Sequence, residues 1–311
     1  MWLVVVNPQA GLGAAASLAT QVVGFLQSRK IAYRMISPNS ADETKSLVRE
    51  SLRNGEATRL LSVGGDGLFH LLLQFAIEFE VPLAILPGGT GNDFYRTLGW
   101  FDHELIDYLE QLNSKPPTSV DVGVVDGEYF GAVLSSGFDS VVNERANTMK
   151  WPKGPAKYNA AIALEFPKFK PIEFKIVADE RILEVEAMLI AIGNGSSYGG
   201  GMQVCPEADL QDGLFDIMIL HPVSKFEFIK VFPTVYKGTH IEHPQVEVIR
   251  AKHVRLESSA IAYADGERIG QLPVQVESLP QSLLTWPACA ARINFLPPRH
   301  MQQQNHVPST R

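Results

Sequence analysis

The sequence predicts an α/β protein built from an open, mostly parallel α/β domain followed by an antiparallel, β-rich, sandwich-like domain. In the first hundred residues, short apolar runs alternate with segments of helical length. After Pro116-Pro117 the pattern changes to alternating runs around Asp-Gly turns. The 311 residues, of which 45% are hydrophobic and 20% charged, are enough to form two substantial cores.

The first domain is predicted to contain a parallel sheet. Continuous apolar runs, which suit strands covered on both faces, are Trp2–Val6, Ala32–Ile36, Arg59–Val63 and Pro82–Leu86. Segments of helical length and spacing between them are Ala14–Arg29, Ala41–Asn54 and Leu68–Phe79. Right-handed crossovers place the loops after the strands on one edge, where open α/β sheets bind ligands. We therefore expect "NPQAGLG" (7–13), "GGDG" (64–67) and "PGGTGND" (87–93) to converge on one crevice.

The second domain is predicted from hairpin patterns. The runs "VGVVDGEYFGAVL" (122–134) and "FKIVADERILEVEAMLIAIGN" (174–194) alternate around Asp-Gly or Asp-Glu turns. One helix, near Tyr158–Phe166, is expected to interrupt the strands. The predicted domains are residues 1–117 and 118–287, with 288–297 returning to the first domain. Residues 298–311 are polar and proline-bearing and are predicted to be a flexible tail.

Composition excludes several classes of protein. A net charge of −7 argues against broad nucleic-acid binding, which requires a basic face. We find no signal-peptide pattern and no apolar run of membrane-spanning length. Cys205 and Cys289 lie far apart, so neither a disulfide framework nor a zinc site is indicated. The sequence thus predicts a protein of the reducing cytoplasm.

The glycine loops suggest binding of a polyanion. Glycine lets backbone N–H groups approach phosphates, and a helix that starts directly behind the loop adds its positive dipole end. Asp66, the only charge between Leu60 and Phe75, is predicted to orient a phosphate-bound Mg²⁺ directly or through water. The alternative is a strand-to-helix turn capped by Asp66.

The two other loops differ in how strongly they indicate phosphate binding. The loop 7–13 lacks both GxGxxG and the lysine of a P-loop, so taken alone it favours an Asn-Pro turn. In the loop 87–93, Thr90 supplies a hydroxyl among three glycines. Asn92 and Asp93 then either cap the next segment or reach toward a ribose or phosphate.

Together these motifs carry a resemblance to a known family. "VVVNPQAG", "SVGGDG" and "LPGGTGNDF" occur in the order and spacing of the catalytic domain of the diacylglycerol kinase and sphingosine kinase family, especially its soluble bacterial lipid kinases. The likeness continues through residues 119–142, 192–220 and 262–269, and it ends at about Pro297. The resemblance implies the predicted fold, ATP and Mg²⁺ as cofactors, and transfer of the γ-phosphoryl group to a hydroxyl of a diacylglycerol-like lipid.

The resemblance also implies roles for individual residues. ATP binding is implied for Asn7, Pro8, Gln9, Ala10, Gly11, Ser37, Gly64, Gly65, Asp66, Gly67, Leu68, Phe69, His70 and Thr90. A structural Mg²⁺ is implied at Asp209, Asp212 and Leu214, through carboxylate and backbone oxygens. Glu267 falls where bacterial members place the proton acceptor, with Asp265 and Asp66 as further catalytic candidates. An isolated Asp-Gly-Glu favours a simple hairpin turn, as at 126–128, so only the context of Glu267 supports catalysis.

The chain departs from the family pattern directly after GGDG. Members usually have Thr where this chain has Leu68, and then an Asn and a Glu where His70 and Leu71 or Leu72 stand. Loss of that Glu could weaken catalysis while nucleotide binding persists. His70 either compensates or packs near the start of the helix.

A basic, aromatic segment predicts contact with a membrane. Residues 145–175 hold seven Lys or Arg against two Glu, interleaved with aromatic side chains. This composition suits peripheral, reversible contact with an anionic bilayer, and the alternative is an ordinary solvated face. The hydroxyl lipid and the oligomeric state stay open, with a homodimer as one option.

Three other functions compete with a lipid kinase. An NAD kinase-like phosphotransferase would share GGDG, but the match over 192–220 points away from it. A degenerate member would bind nucleotide or lipid as a regulator, without turnover. A Rossmann dehydrogenase is disfavoured because Ser37-Pro38 stand where an acidic residue should follow the second strand.

Overall fold

The computed structural model describes residues 1–151 and 155–288, and it confirms the predicted fold class. The first part contains β1 (Trp2–Val6), β2 (Tyr33–Ile36), β3 (Arg59–Gly64) and β4 (Leu83–Pro87). Its helices are α1 (Ala14–Ser28), α2 (Ala41–Arg53), α3 (Asp66–Glu78), α4 (Asp93–Thr97) and α5 (Leu105–Ser114). The strands are parallel in the order β2-β1-β3-β4. They match the predicted strands to within about one residue; β1, β3 and β4 are apolar runs that are buried almost throughout, whereas only Ile36 is buried in the edge strand β2.

Helix α1 connects β1 and β2 and buries one face against the sheet. Together with the preceding 3₁₀ turn it forms a stretch of 19 residues with a mean hydropathy of 1.2, long and apolar enough by those criteria to span a membrane. The regular helix begins only at Ala14, because Gly11 and Leu12 have positive φ angles of 58° and 57°. Its 15 residues extend about 22 Å, less than the roughly 30 Å of a bilayer core.

Within the described residues, the second part is a β-sandwich with three α-helices and two short 3₁₀ helices. Its strands are β5 (Thr118–Val125), β6 (Glu128–Phe130), β7 (Val133–Gly137), β8 (Ile172–Ala178), β9 (Arg181–Ala187), β10 (Leu189–Gly193), β11 (Phe215–Leu220), β12 (Val246–Ala251), β13 (His253–Glu257), β14 (Ile261–Ala264), β15 (Glu267–Gln271) and β16 (Val274–Thr285). Its helices are α6 (Phe138–Thr148), α7 (Pro155–Glu165) and α8 (Lys225–Val231). The two sheets have the orders β12-β11-β10-β7-β14-β15 and β6-β5-β16-β13-β8-β9. Apolar side chains from both sheets fill the space between them, with Phe130 stacked on Phe215 at 5.9 Å.

Both predicted hairpins form, but each predicted run is divided between the two sheets. β5 pairs with β6 and β8 with β9, as predicted. The chain then crosses over, so β7 and β10 pair with each other in the opposite sheet. Alternating hydrophobicity predicts a strand without indicating which sheet receives it, because both inner faces are apolar.

Two helices of the second part were not predicted. The predicted helix near Tyr158–Phe166 corresponds to α7, whereas α6 and α8 are additional. Helix α6 begins where Gly137 adopts a φ of 126° and its N–H donates to the Ser140 hydroxyl at 3.1 Å. The two valines of its first turns favour a strand in isolation, so local composition hid this helix.

The end of the described chain returns to the first part. The Thr285 hydroxyl donates to the carbonyl of Leu83 at 2.8 Å, and the Ala288 N–H donates to the carbonyl of Leu98 at 2.8 Å. Trp286 is buried in a core that both parts share. Of the stretch predicted to return, 288–297, only Ala288 is described, and the predicted flexible tail 298–311 lies outside the described residues.

Candidate active site

The three glycine loops lie side by side at the carboxyl edge of the parallel sheet. The Asn7 N–H donates to the carbonyl of Val63 at 3.0 Å, and the Gly88 N–H donates to the carbonyl of Gly64 at 2.9 Å. A methyl group on Gly11 would overlap the carbonyl oxygen of Gly88. A methyl group on Gly89 would overlap the Cα of Gly65. The predicted convergence is confirmed. These glycines are required primarily because the loops touch one another and leave no space for side chains.

Asp66 joins two of these loops. One carboxylate oxygen accepts the N–H of Asn92 and the other accepts the N–H of Asp93, both at 2.8 Å. Asp66 thus caps the start of α4 rather than its own helix. Burial and then the charge of Asp93 raise the pKa of Asp66 to about 6, against the two hydrogen bonds. Each oxygen keeps a second lone pair for another ligand.

Asn92 and Asp93 are both engaged by protein groups. The Asn92 side chain accepts the N–H of Gly89 at 3.0 Å and donates to its carbonyl at 2.9 Å, which closes the loop. The Asp93 carboxylate accepts the N–H groups of Gly200 and Gly201, with shortest distances of 3.0 and 2.8 Å. Asp93 therefore joins the glycine loops to the second part. Both side chains therefore hold protein structure together, and a ribose or phosphate contact would have to use the second amide hydrogen of Asn92 or the remaining lone pairs of Asp93.

Glu267 faces the start of α3 from the second part. It is exposed at the first position of β15, and its carboxylate accepts no hydrogen bond from the described residues. A methyl group placed on Gly67 would lie 2.9 Å from Oε1 of Glu267. The fold thus brings together the GGDG loop and the predicted proton acceptor, which are 200 positions apart in the sequence.

Asp265, the other candidate in the same turn, is enclosed. Its side chain is 2% exposed. Its oxygens accept the N–H groups of Gly131 at 2.7 Å and Ala132 at 2.8 Å, and Oδ2 lies 3.4 Å from Nδ1 of His70. This geometry does not support Asp265 as a base, because the carboxylate is occupied and out of reach of a substrate.

Two of the predicted ATP-binding side chains lie in the core. Phe69 stacks on Phe94 with ring centroids 4.6 Å apart. His70 is buried, with Nε2 2.8 Å from Oε1 of Glu128. Burial by itself would lower the pKa of His70, but its contacts with Asp265 and Glu128 raise it to about 9. Neither side chain can touch a ligand at the loop surface.

The other predicted ATP-binding residues lie on or near the edge. Asn7, Pro8, Gln9, Ser37, Gly67 and Thr90 are exposed, while Ala10, Gly11, Gly65 and Leu68 are half-buried and Gly64 is buried. Asn7 Oδ1 accepts the N–H of Gln9 at 3.3 Å, so the first loop is held by its own side chain. Backbone N–H groups at an exposed loop edge are what phosphate binding requires.

The predicted metal loop lies apart from Glu267. Asp212 accepts the N–H of Leu214 at 3.0 Å, and Arg250 is 3.7 Å from its second oxygen. Burial, then the charges of Asp209 and Asp121, raise the pKa of Asp212 against these partners. The oxygen donors suit Mg²⁺, although no cluster of three or more His, Cys, Asp or Glu side chains occurs among the described residues. Four strand spacings, about 19 Å, separate β11 from β15 in the sheet order.

Sequence analysis missed two buried carboxylates. Asp121 is 1% exposed and accepts the N–H groups of Gly213 at 2.7 Å and Gln281 at 2.8 Å. Both oxygens of Asp139, in the first turn of α6, are buried without a hydrogen-bond partner. Burial raises the pKa of Asp139 to about 6, and the nearby Ser135 side chain and Ser140 N–H oppose the rise without reaching hydrogen-bonding geometry. An aspartate directly after a strand and a glycine was the signal available for Asp139.

Comparison with known proteins gives concordant matches along the chain. Residues 1–125 match the diacylglycerol kinase catalytic domain, and residues 132–285 match the YegS C-terminal NAD kinase beta sandwich-like domain. A diacylglycerol kinase of Mycobacterium tuberculosis is 34% identical over 297 residues, covering 89% of this chain and 92% of that protein. One from Bacillus subtilis is 27% identical, covering 77% and 80%. The crystal structure of a diacylglycerol kinase from Bacillus anthracis, 21% identical, shares the fold with a TM-score of 0.69 over 93% of this chain and 97% of the other.

Proposed function

The chain belongs to the diacylglycerol kinase catalytic-domain family, and from this premise we propose that it transfers the γ-phosphoryl group of ATP to a hydroxyl of a diacylglycerol-like lipid. The observation that carries the proposal is the closeness of Glu267 to Gly67, where an added methyl group would lie 2.9 Å from Oε1, at the edge where three glycine loops meet. It places a free carboxylate beside a set of loops suited to a triphosphate. Phosphoryl transfer needs both within a few ångströms of the acceptor hydroxyl.

The loop edge is the proposed ATP site. Exposed backbone N–H groups at Gly67 and Thr90 would donate hydrogen bonds to the phosphates, and the N-terminus of α3 adds positive potential. Mg²⁺ bound to the triphosphate would neutralise charge on the transferred group. The unused lone pairs of Asp66 are suited to hold that ion or its water. Asp66 in this proposal both shapes the loop and faces the metal.

Glu267 is the proposed base. Its oxygens are free of protein donors, so they can accept the proton that the lipid hydroxyl loses as the phosphoryl group is attached. The neighbouring Arg268 is held by Glu144 of α6, with Nε and Oε1 2.7 Å apart. That ion pair keeps the arginine away from Glu267 and leaves the base unpaired.

Asp139 is proposed to contact the polar part of the lipid. An unpartnered buried carboxylate costs stability, and such a group finds its partner most naturally in a bound ligand. Next to it, Phe138 packs on Phe166, Phe169 and Phe228 at 5.7, 5.1 and 5.5 Å. This aromatic cluster offers an apolar environment beside a hydrogen-bond acceptor, which suits a hydroxyl lipid.

Membrane contact is proposed for the face formed by α6, α7 and α8. Lys225 of α8 donates to the carbonyl of Pro167 just beyond α7, so α7 and α8 are joined. Large apolar side chains that are exposed on α7, on α8 and just after α6 are Trp151, Tyr158, Leu164, Phe226 and Ile229. Lys150, Lys157 and Lys230 lie beside them on the same segments, whereas Lys153 is outside the described residues. Exposed aromatic and basic groups in an acidic chain favour reversible binding to an anionic bilayer.

The test is transfer of radiolabelled phosphate from ATP to a panel of hydroxyl lipids in mixed micelles. We expect labelled lipid with the wild type and about a 10²- to 10⁴-fold lower kcat for Glu267→Gln, the range for loss of a general base. Glu180→Gln, an exposed carboxylate on the β8–β9 turn, is the matched control and should keep full activity. Full activity of Glu267→Gln would reject the assignment of the base.

The same assay separates the competing functions. Label in NAD rather than lipid would indicate the NAD kinase-like reaction. ATP binding without labelled product under any condition would indicate a regulator, for which Leu68 and Leu71 provide the sequence argument.

A further inference from the structure

His70 lies where the two Asp-Gly-Glu turns of the chain meet. Glu128 of the β5–β6 turn contacts Nε2 at 2.8 Å, and Asp265 of the β14–β15 turn contacts Nδ1 at 3.4 Å. Both turns have the same conformation, with positive φ at Asp126 and Gly127 and at Asp265 and Gly266. One imidazole on α3 thus connects the first part to both sheets of the sandwich.

The contact between His70 and Asp265 lies beside the proposed catalytic approach of Glu267 to Gly67. Gly67 and His70 are three positions apart on α3, so they are neighbours across one helical turn. Glu267 is two positions after Asp265 in the opposing turn. Any separation of His70 from Asp265 would therefore also separate Glu267 from Gly67.

We propose that His70 is a positioning residue, which clamps the β14–β15 turn onto α3 and so sets the distance between Glu267 and the glycine loops. The inference rests on the proposed role of Glu267. Proximity of a base matters greatly, since a displacement of about 1 Å can cost about 100-fold in rate.

The charges around His70 favour its protonated form. Glu128 and Asp265 are the groups in contact with the ring, and Asp66 lies one turn earlier on the same helix. Gln74, one turn later, donates to the carbonyls of His70 and Tyr129 and supplies no charge. The pKa of about 9 means that the imidazolium persists at neutral pH and is lost as the pH rises through about 9.

The experiment compares His70→Asn with His221→Asn. The control also removes a histidine paired with a glutamate, since His221 lies 3.0 Å from Glu247 next to the edge strand β12. For His70→Asn we expect kcat to fall about 10- to 100-fold while the KM for ATP stays within about twofold, because the loops are intact. Wild-type kcat should fall above about pH 9, a limb that His70→Asn lacks. The control should match the wild type in each respect.

Hydrogen exchange gives a readout that needs no activity. His70→Asn should accelerate amide exchange in residues 265–271, and the control should not. If the wild type phosphorylates no lipid, the proposed function fails. Independently of that result, amide exchange at 265–271 that is the same in His70→Asn and the wild type would overturn the clamp. Unchanged kcat in His70→Asn would overturn it as well. Should that variant not fold, Glu128→Gln decides the question. The substitution keeps the shape of this exposed side chain but removes its charge, so the pKa of His70 measured by NMR should fall. An unchanged pKa would contradict the coupling.

Discussion

At the residue scale, the contacts of each carboxylate distinguish its role. Asp66 and Asp265 both accept two backbone N–H groups and hold loops in place. Glu267 and Asp139 have no such partners among the described residues, but only the oxygens of Glu267 are exposed, whereas those of Asp139 are buried. The motifs GGDG and DGE therefore each contain one aspartate, Asp66 or Asp265, whose carboxylate holds a loop in place. Only DGE adds a second carboxylate, Glu267, that is free of protein donors.

Asp139 is expected to limit stability. Replacing it by Asn removes a buried carboxyl group, whose pKa in the folded state, about 6, is above its ordinary value. At pH 7 the free energy of unfolding should rise by about 1–3 kcal/mol, the cost of one unsatisfied buried group. Urea denaturation measures this change. Because the raised pKa favours the protonated carboxyl in the folded state, the gain should shrink below about pH 6. A lower stability of Asp139→Asn at pH 7 would contradict the assignment.

The pKa of Asp66 predicts an acid limit to activity. Its ionised oxygens accept the N–H groups of Asn92 and Asp93, and protonation near pH 6 removes one acceptor. We expect kcat to fall up to tenfold per pH unit below about pH 6. Global stability should not fall with it through this group, since a raised pKa means that the folded state binds the proton more readily. A pH–rate profile flat down to pH 5 would exclude this role.

At the element scale, the glycines differ in whether their surroundings leave room for a side chain. Gly65 and Gly89 face each other across two loops with no room for a side chain. Gly24 lies in the middle of α1, where an added methyl group would meet nothing within 4 Å. The residue type alone cannot tell these positions apart, since each is a glycine and the difference lies in what surrounds it.

Gly89→Ala should weaken ATP binding by displacing the loop of β4 from that of β3. We expect the Kd for ATP, from calorimetry, to rise at least about tenfold, equivalent to about 1.4 kcal/mol. Gly24→Ala is the control and should bind ATP normally while the helix gains up to about 1 kcal/mol. Equal ATP affinity in the two variants would show that contact between the loops is unimportant.

The metal loop before β11 is expected to act on stability and not on chemistry. If Asp209, Asp212 and Leu214 bind Mg²⁺, adding the ion should raise the Tm of the wild type, because bound ligand stabilises the folded state. Asp212→Asn should lose that response and retain kcat at saturating Mg²⁺, given the separation of about 19 Å from β15. Thermal unfolding with and without EDTA measures the effect. A Tm independent of Mg²⁺ in the wild type would remove the proposed site.

At the scale of the whole molecule, a few contacts connect the two parts. Asp93 binds Gly200 and Gly201, His70 binds Asp265, and Trp286 joins the shared core. The first two lie beside the proposed reacting groups. The same contacts that assemble the protein therefore determine the geometry of the site.

The face of α6, α7 and α8 should bind anionic vesicles. Replacing Lys150, Lys153 and Lys157 by Glu reverses six charge units, and we expect binding to phosphatidylglycerol vesicles to fall about 100-fold or more at about 1 kcal/mol per lysine. Phe226→Ser with Ile229→Ser should weaken binding without changing its salt dependence. Sedimentation with vesicles measures both. Unchanged binding of the lysine variant would remove this face from the proposal.

The sequence by itself determined the four strands of the first part and the three helices that connect them, the hairpins of the second part, and the convergence of the glycine loops, whereas α4 and α5 were not predicted. These follow from local periodicity and from the rule that parallel strands place their carboxyl ends on one edge. Only the tertiary structure decided which carboxylates are free, that α6 is helical, and that Glu267 meets Gly67 while His70 meets Asp265. Those facts depend on contacts between residues far apart in the chain, and no local pattern of side chains encodes which distant partner will be present.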